Sequence, residues 1–189
     1  MKKFTGFVLK ILGWKLVGEN PLPSLKKLVI VEAPHTSNWD YFYGMLCIMS
    51  VGIKVNVIIK KEMFFWPLGP ILKALGGVPI DREGTSNKVE TIASLFEGRE
   101  RLNLAITPEG TRSLSTVWKK GYYYIAQKAA VPIFLTSLDY KKKEGRFGPH
   151  FIPTGNYEED YKLLESFYQG VSAKYPEKFS LSKEGESNR

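Results

Sequence analysis

Residues 28–40 read LVIVEAPHTSNWD, and the order of residue types in that stretch decides the fold. Leu28 to Val31 are consecutive branched apolar residues without polar alternation, the pattern of a strand covered on both faces. Thr36, Ser37 and Asn38 are residue types that cap helix N-termini, and the apolar run behind them predicts a helix over Asn38–Ser50. Strand, loop and helix in that order make the unit of a layered α/β sheet. Working outward, the same alternation recurs. Strands are predicted at Leu28–Glu32, Val55–Ile59, Val78–Ile80, Leu102–Ile106 and Ile133–Ser137, with an edge strand near Arg146–Ile152. The remaining helices are predicted at Pro67–Leu75, Asn87–Gly98, Lys119–Ala129 and Glu158–Lys174.

With 189 residues, 43% of them hydrophobic, the chain can build one domain with a sizeable core. Its net charge of +8 is unevenly spread: residues 1–27 carry six lysines and one glutamate, and the rest carry 21 basic and 18 acidic side chains. The opening segment MKKFTGFVLKILGWKLVG places Phe4, Phe7, Val8 and Ile11 at helical spacing, widened by Leu12, Trp14 and Leu16 and surrounded by lysines. That is the composition of an interfacial amphipathic helix, whose lysine stems reach out to lipid headgroups. A stripe packed on the chain's own domain is the other reading. Gly6 and Gly13 interrupt the helix, and Pro21 and Pro23 end it. The expected division is a membrane-association segment over 1–20, a catalytic domain over 21–180 and a flexible tail over 181–189. The longest uncharged run, Tyr41–Ile53, is thirteen residues, short of the ~20 that a spanning helix needs. Cys47 is the single cysteine, so no intramolecular disulfide and no cysteine zinc cluster is expected.

His35 and His150 are the only histidines. His150 has no carboxylate within five residues and reads as structural. His35 follows a predicted strand end, where α/β sheets present their sites, and Asp40 comes five positions later. A carboxylate there can hold Nδ1 of the ring and leave Nε2 as a general base. Helix capping by the same loop would explain the residues equally well. A second constellation, Thr107-Pro-Glu-Gly-Thr-Arg-Ser113, also follows a predicted strand: Gly110 permits an unusual turn, Thr111 offers a hydroxyl, and Arg112 offers a fork for phosphate or carboxylate. A third block, Gly76–Arg82, ends another strand with an arginine.

Taken in order, His35-Thr36-Ser37-Asn38-Trp39-Asp40, Lys60-Lys61-Glu62 through Pro67 and Gly69 to Asp81-Arg82, Pro108-Glu109-Gly110-Thr111-Arg112-Ser113, and Val131-Pro132-Ile133 resemble the four blocks of the glycerolipid acyltransferase family. The resemblance implies a fold of mixed α/β layers; with the element pattern and the opening segment read above, the expected architecture is a mixed, largely parallel central sheet flanked by helices, with an N-terminal amphipathic membrane-surface helix. The resemblance also implies transfer of a fatty acyl group from a thioester, on coenzyme A or acyl carrier protein, to a lysophospholipid hydroxyl in phospholipid biosynthesis, with 1-acylglycerol-3-phosphate as the default acceptor. It assigns His35 and Asp40 to catalysis and the second and third blocks to the acceptor phosphate. Arg82, Arg112, Lys60 and Lys61 are the expected phosphate ligands, and Glu109, Gly110 and Thr111 the turn that supplies oxyanion donors. No metal and no cofactor beyond the acyl donor is expected. The expected partners are lysophospholipid, acyl donor and an anionic membrane surface, at the cytoplasmic face of a membrane and without a spanning helix.

Pro34, Thr107 and Val78-Pro79-Ile80 depart from the commonest forms of these blocks; none removes a reacting group, but they leave the acceptor open to another lysolipid or an amine-bearing lipid. No serine sits in a nucleophile-elbow setting, so direct attack by the acceptor hydroxyl is the economical mechanism. A non-catalytic lipid-binding protein would account for the basic amphipathic segment but not for His35, Asp40, Glu109 and Arg112 together. Nucleic acid is not an expected partner: Lys141–Arg146 is the richest basic cluster and reads as a solvated hairpin, with no recognition motif beside it.

Overall fold

The computed structural model describes residues 2–20, 24–81 and 87–182. Pro21, Pro23, the predicted phosphate ligand Arg82 and most of the predicted tail, residues 183–189, lie outside the described residues. The strands are β1 (Lys15–Val17), β2 (Lys27–Glu32), β3 (Asn56–Lys60), β4 (Gly77–Ile80), β5 (Leu102–Ile106), β6 (Ile133–Asp139) and β7 (Glu144–Phe151). The α-helices are α1 (Lys2–Ile11), α2 (Asn38–Ser50), α3 (Leu68–Ala74), α4 (Lys88–Ala93), α5 (Gly121–Ala129) and α6 (Tyr157–Tyr168).

One seven-stranded sheet runs in the order β1-β7-β6-β2-β5-β3-β4. Its pairs are parallel except β6 with β7, so the sheet is mixed and largely parallel. The chain passes from β2 through α2 to β3, over β5, and on through α3 to β4; it then returns through α4 to β5 and through α5 to β6. Right-handed crossovers in opposite directions place α2 and α3 on one face and α4 and α5 on the other. Packing agrees: Leu28 and Ile30 cluster with Ile48 of α2, while Val29 and Val31 cluster with Tyr122 and Ile125 of α5 and Tyr161 and Leu164 of α6. The neighbouring strands β2 and β5 therefore send their C-terminal connections to opposite faces, and a crevice opens between them, as expected where strand order reverses.

Most predicted elements recur within two residues, and three differ. Glu158–Lys174 was expected to be one helix, but α6 stops at Tyr168: Gly170 turns the backbone at φ 74°. The chain beyond it serves tertiary contacts instead, with the Ser172 carbonyl accepting from Tyr140 N at 2.8 Å and Tyr175 N donating to Thr36 Oγ1 at 3.3 Å. Asn87–Gly98 divides into α4 and a 3₁₀ turn over Ser94–Phe96. The N-terminal segment is a helix only to Ile11; Gly13 turns at φ 75°, and Lys15–Val17 becomes an edge strand paired with Glu144–Arg146 of β7.

That turn divides the apolar stripe. Trp14 is buried and stacks on Tyr43 with ring centroids 4.5 Å apart, and Leu9 joins the same cluster. Phe4, Phe7 and Ile11 remain exposed on the other side of α1. The face that α1 turns toward α2 is Thr5 and Leu9, and its most apolar stripe points outward. No helix among the described residues is long and apolar enough to cross a membrane.

Candidate active site

The loop after β2 sits at the mouth of the crevice. Ser37 caps α2, its hydroxyl accepting from Trp39 N at 3.2 Å, and Asp40 closes the capping box from the third helical position. Asp40 Oδ2 accepts from Thr36 N at 2.7 Å and Ser37 N at 2.8 Å, and lies 3.4 Å from Nδ1 of His35. Its other oxygen accepts from the Tyr140 hydroxyl at 2.7 Å. Capping and pairing are thus both true of the same carboxylate. Burial pushes Asp40 up, but the bonds from His35, Tyr140, Ser37 and Thr36 together outweigh it and hold the carboxyl below its usual range. An ionised, buried carboxylate beside Nδ1 fixes the tautomer that leaves Nε2 without its proton.

The loop after β5 braces this pair from the opposite face. Glu109 Oε2 accepts from the backbone N–H of His35 at 2.8 Å, while its buried Oε1 has no hydrogen-bond partner among the described residues. Burial, helped by the charge of Asp40, pushes Glu109 up to about 7. Gly110 stands at φ 66°, and a Cβ there would come within 2.7 Å of Lys119 Nζ. Its own N–H donates to the Thr107 carbonyl at 3.2 Å, so it is occupied within the turn. A third carboxyl, Glu32 at the end of β2, is pushed up to about 8 by burial first and then by Asp40 and Glu109. Burial therefore favours its uncharged form.

His35, Asp40 and Glu32 line a cavity of about 510 Å³. The rest of its wall is mostly apolar, with Ile48, Val55, Val57, Ile58, Ile106 and Ile125 among its residues. The size and the few polar groups on an apolar wall suit a small molecule or a lipid chain. Over residues 14–137 the chain matches the family described as Acyltransferase.

The chain belongs to the acyltransferase family.

Two curated acyltransferases are similar to it. One is 42% identical over 106 residues, 51% of this chain and 37% of the relative, and is named 1-acyl-sn-glycerol-3-phosphate acyltransferase beta, from Homo sapiens. The other, a probable 1-acyl-sn-glycerol-3-phosphate acyltransferase from Mycoplasma pneumoniae, is 34% identical over 143 residues, 69% of this chain and 52% of the relative. The chain thus spans about half or less of the length of these relatives. In fold it is similar to the 1-acyl-sn-glycerophosphate acyltransferase PlsC from Thermotoga maritima, with a TM-score of 0.62 and 22% identity over 90% of this chain and 76% of that one.

Within this member of the acyltransferase family the predicted site residues divide. His35, Asp40, Glu109 and Gly110 converge. Arg112 donates to the Asn38 side chain, which carries its guanidinium to the first turn of α2, and Thr111 Oγ1 accepts from Ser113 N at 3.2 Å within the same loop. Lys60 and Lys61 are exposed at the end of β3 and are not among the residues lining the cavity. The lysines that do line it are Lys88 and Lys119, neither of them predicted. Glu32 and Tyr140 were also missed. Tyr140 stands 100 positions from its partner Asp40, and no local pattern announces such a contact. His150 lies exposed on β7 opposite Phe134.

Proposed function

We propose that the chain transfers a fatty acyl group from an acyl thioester, on coenzyme A or acyl carrier protein, to the free hydroxyl of a lysophospholipid, with 1-acylglycerol-3-phosphate as the first candidate. The observation that carries this reading is the His35–Asp40 pair in the wall of a largely apolar cavity. Nε2 of His35 takes the proton of the acceptor hydroxyl as its oxygen attacks the thioester carbon. The tetrahedral intermediate then collapses, the C–S bond breaks, and the leaving thiolate receives that proton from the imidazolium. Asp40 stabilises the imidazolium between the two steps, and base catalysis of this kind is worth about 10²–10⁴-fold.

The amide of Gly110 is engaged with Thr107, which leaves the Thr111 amide and Lys119 Nζ as the oxyanion donors of choice. Glu109 holds the backbone of His35 in place. Arg112, with Arg82, Lys60 and Lys61 from the second block, is assigned to the acceptor phosphate, and the apolar wall to the acyl chain. No cofactor enters this scheme. The exposed stripe Phe4, Phe7 and Ile11, with Lys2, Lys3 and Lys10, suits attachment of α1 to an anionic membrane at its cytoplasmic face. The test is thiol release from an acyl thioester with a panel of lysolipid acceptors. Wild type releases thiol only with a competent acceptor, and His35→Ala loses at least about 10²-fold in kcat. Full activity in His35→Ala would reject the general base, and no acceptor-dependent release in wild type would reject acyl transfer in favour of lipid binding alone.

A further inference from the structure

The segment between β3 and β4 carries the most exposed aromatic pair of the molecule: Trp66 is 85% exposed and Phe65 58%. Behind them, Ile71 of α3 and Leu75 just after it are also exposed. Ile58 of β3 packs into the α5 side of the core, so Ile59 points the other way, and a Cβ on Gly77 would meet both Ile59 and the Leu72 carbonyl. Hence α3 covers the α2 face of the sheet. Phe65 and Trp66 follow the C-terminal end of β3, the same edge of the sheet at which β2 and β5 deliver His35 and Glu109. Trp39 and Phe42, in the first turns of α2, are exposed at that edge too.

Charge is distributed in the same sense. Residues 60–75 carry three lysines against one glutamate. On the opposite face, Glu158 and Glu159 of α6 pair with Lys120 and Lys162, and Glu90 of α4 pairs with Lys128 of α5. An apolar ridge rimmed by Lys60, Lys61 and Lys73 is complementary to a negatively charged bilayer, with Trp66 at headgroup depth. We propose that residues 63–75 form a second lipid-contacting element that seats the cavity mouth on an anionic bilayer, independently of α1. The proposal rests on reading the acceptor as a bilayer lipid, since an enzyme that draws such a substrate gains from facing the surface that holds it.

The experiment compares Phe65→Ser/Trp66→Ser with wild type in sedimentation with vesicles of phosphatidylcholine alone and with one quarter phosphatidylglycerol. Both side chains are exposed, so thermal melting should be unchanged and will report any misfolding. The expected result is about a tenfold loss of partitioning onto the anionic vesicles, with α1 intact. Thiol release should fall in step with partitioning when the acceptor is vesicle-borne, and fall several-fold less with a short-chain acceptor dissolved as monomers. Unchanged partitioning overturns the proposal. So does a wild-type dimer in light scattering that the variant dissolves without change in partitioning, which would assign the ridge to a second copy. If wild type turns over neither acceptor, the acyl-transfer reading fails, and the vesicle measurement still decides the docking surface.

Discussion

Asp40→Asn isolates the charge of the buried carboxylate from its geometry. Three donors, Thr36 N, Ser37 N and Nδ1 of His35, converge on Oδ2, and among the described residues the Tyr140 hydroxyl alone addresses Oδ1. An asparagine with its oxygen in the Oδ2 position keeps all three, and its NH₂ meets a tyrosine oxygen that can accept as well as donate. The helix cap and the ring orientation therefore survive. What is lost is the ionic character of the bonds, the difference between about 1.5–3 kcal/mol for a bond to a charged group and about 0.5–1.5 for a neutral one. Since the bonds share one acceptor and are not additive, the expected destabilisation is about 1–3 kcal/mol. Catalysis should suffer more, because the imidazolium forms only as the hydroxyl proton moves; kcat should fall about 10²–10⁴-fold. The assay is thiol release at saturating thioester and acceptor, with a thermal melt alongside. A kcat within threefold of wild type, in a folded Asp40→Asn protein, would refute the catalytic use of the charge. Asp40→Ala supplies the contrast: it also strands the Thr36 and Ser37 amides, so its melting loss should exceed that of the asparagine variant.

Glu32→Gln tests the uncharged acid. Glu32 sits at about 8 in the fold against 4.5 for a free side chain. The unfolded chain therefore gives up this proton first, and the group erodes stability as pH rises from about 4.5 to about 8. Relative to wild type, Glu32→Gln should gain at least about 5 °C in Tm between pH 5 and pH 8.5, and parallel curves would mean the carboxyl is ionised in the fold. Arg112→Ala should raise KM for a phosphate-bearing acceptor about 10–100-fold with a smaller change for a neutral glycerolipid, the range expected for one charge-assisted bond. Equal KM changes for both acceptors would remove Arg112 from the phosphate site. Trp14→Ala should cost about 3–5 kcal/mol in denaturant melts, because the indole is buried against Tyr43, whereas Phe4→Ser should stay within about 0.5. Similar losses from both would mean that Phe4 is packed as well.

The parts of the site legible in the sequence are those made by near neighbours. His35 and Asp40 are five residues apart across a strand-to-helix junction, and a capping box allows only a narrow range of backbone paths, so their meeting is nearly a local event. The Pro108–Gly110 turn after β5 is legible for the same reason. Glu32 looked like the polar end of a strand until α2 and the β5 loop closed around it, and Lys119 like a helix-start residue until it lay across Gly110.

For this protein the sequence by itself determined the alternation of buried strands and helices and the closeness of His35 to Asp40, because hydrophobic periodicity and capping act over a few residues. Tertiary structure alone decided which face of α1 is buried, that Lys15–Val17 joins the sheet, that α6 ends at Tyr168, and that Tyr140, Glu32 and Lys119 reach the site. Each of those depends on contacts between segments far apart in the chain, and such contacts acquire their energy only when strand order brings the segments together.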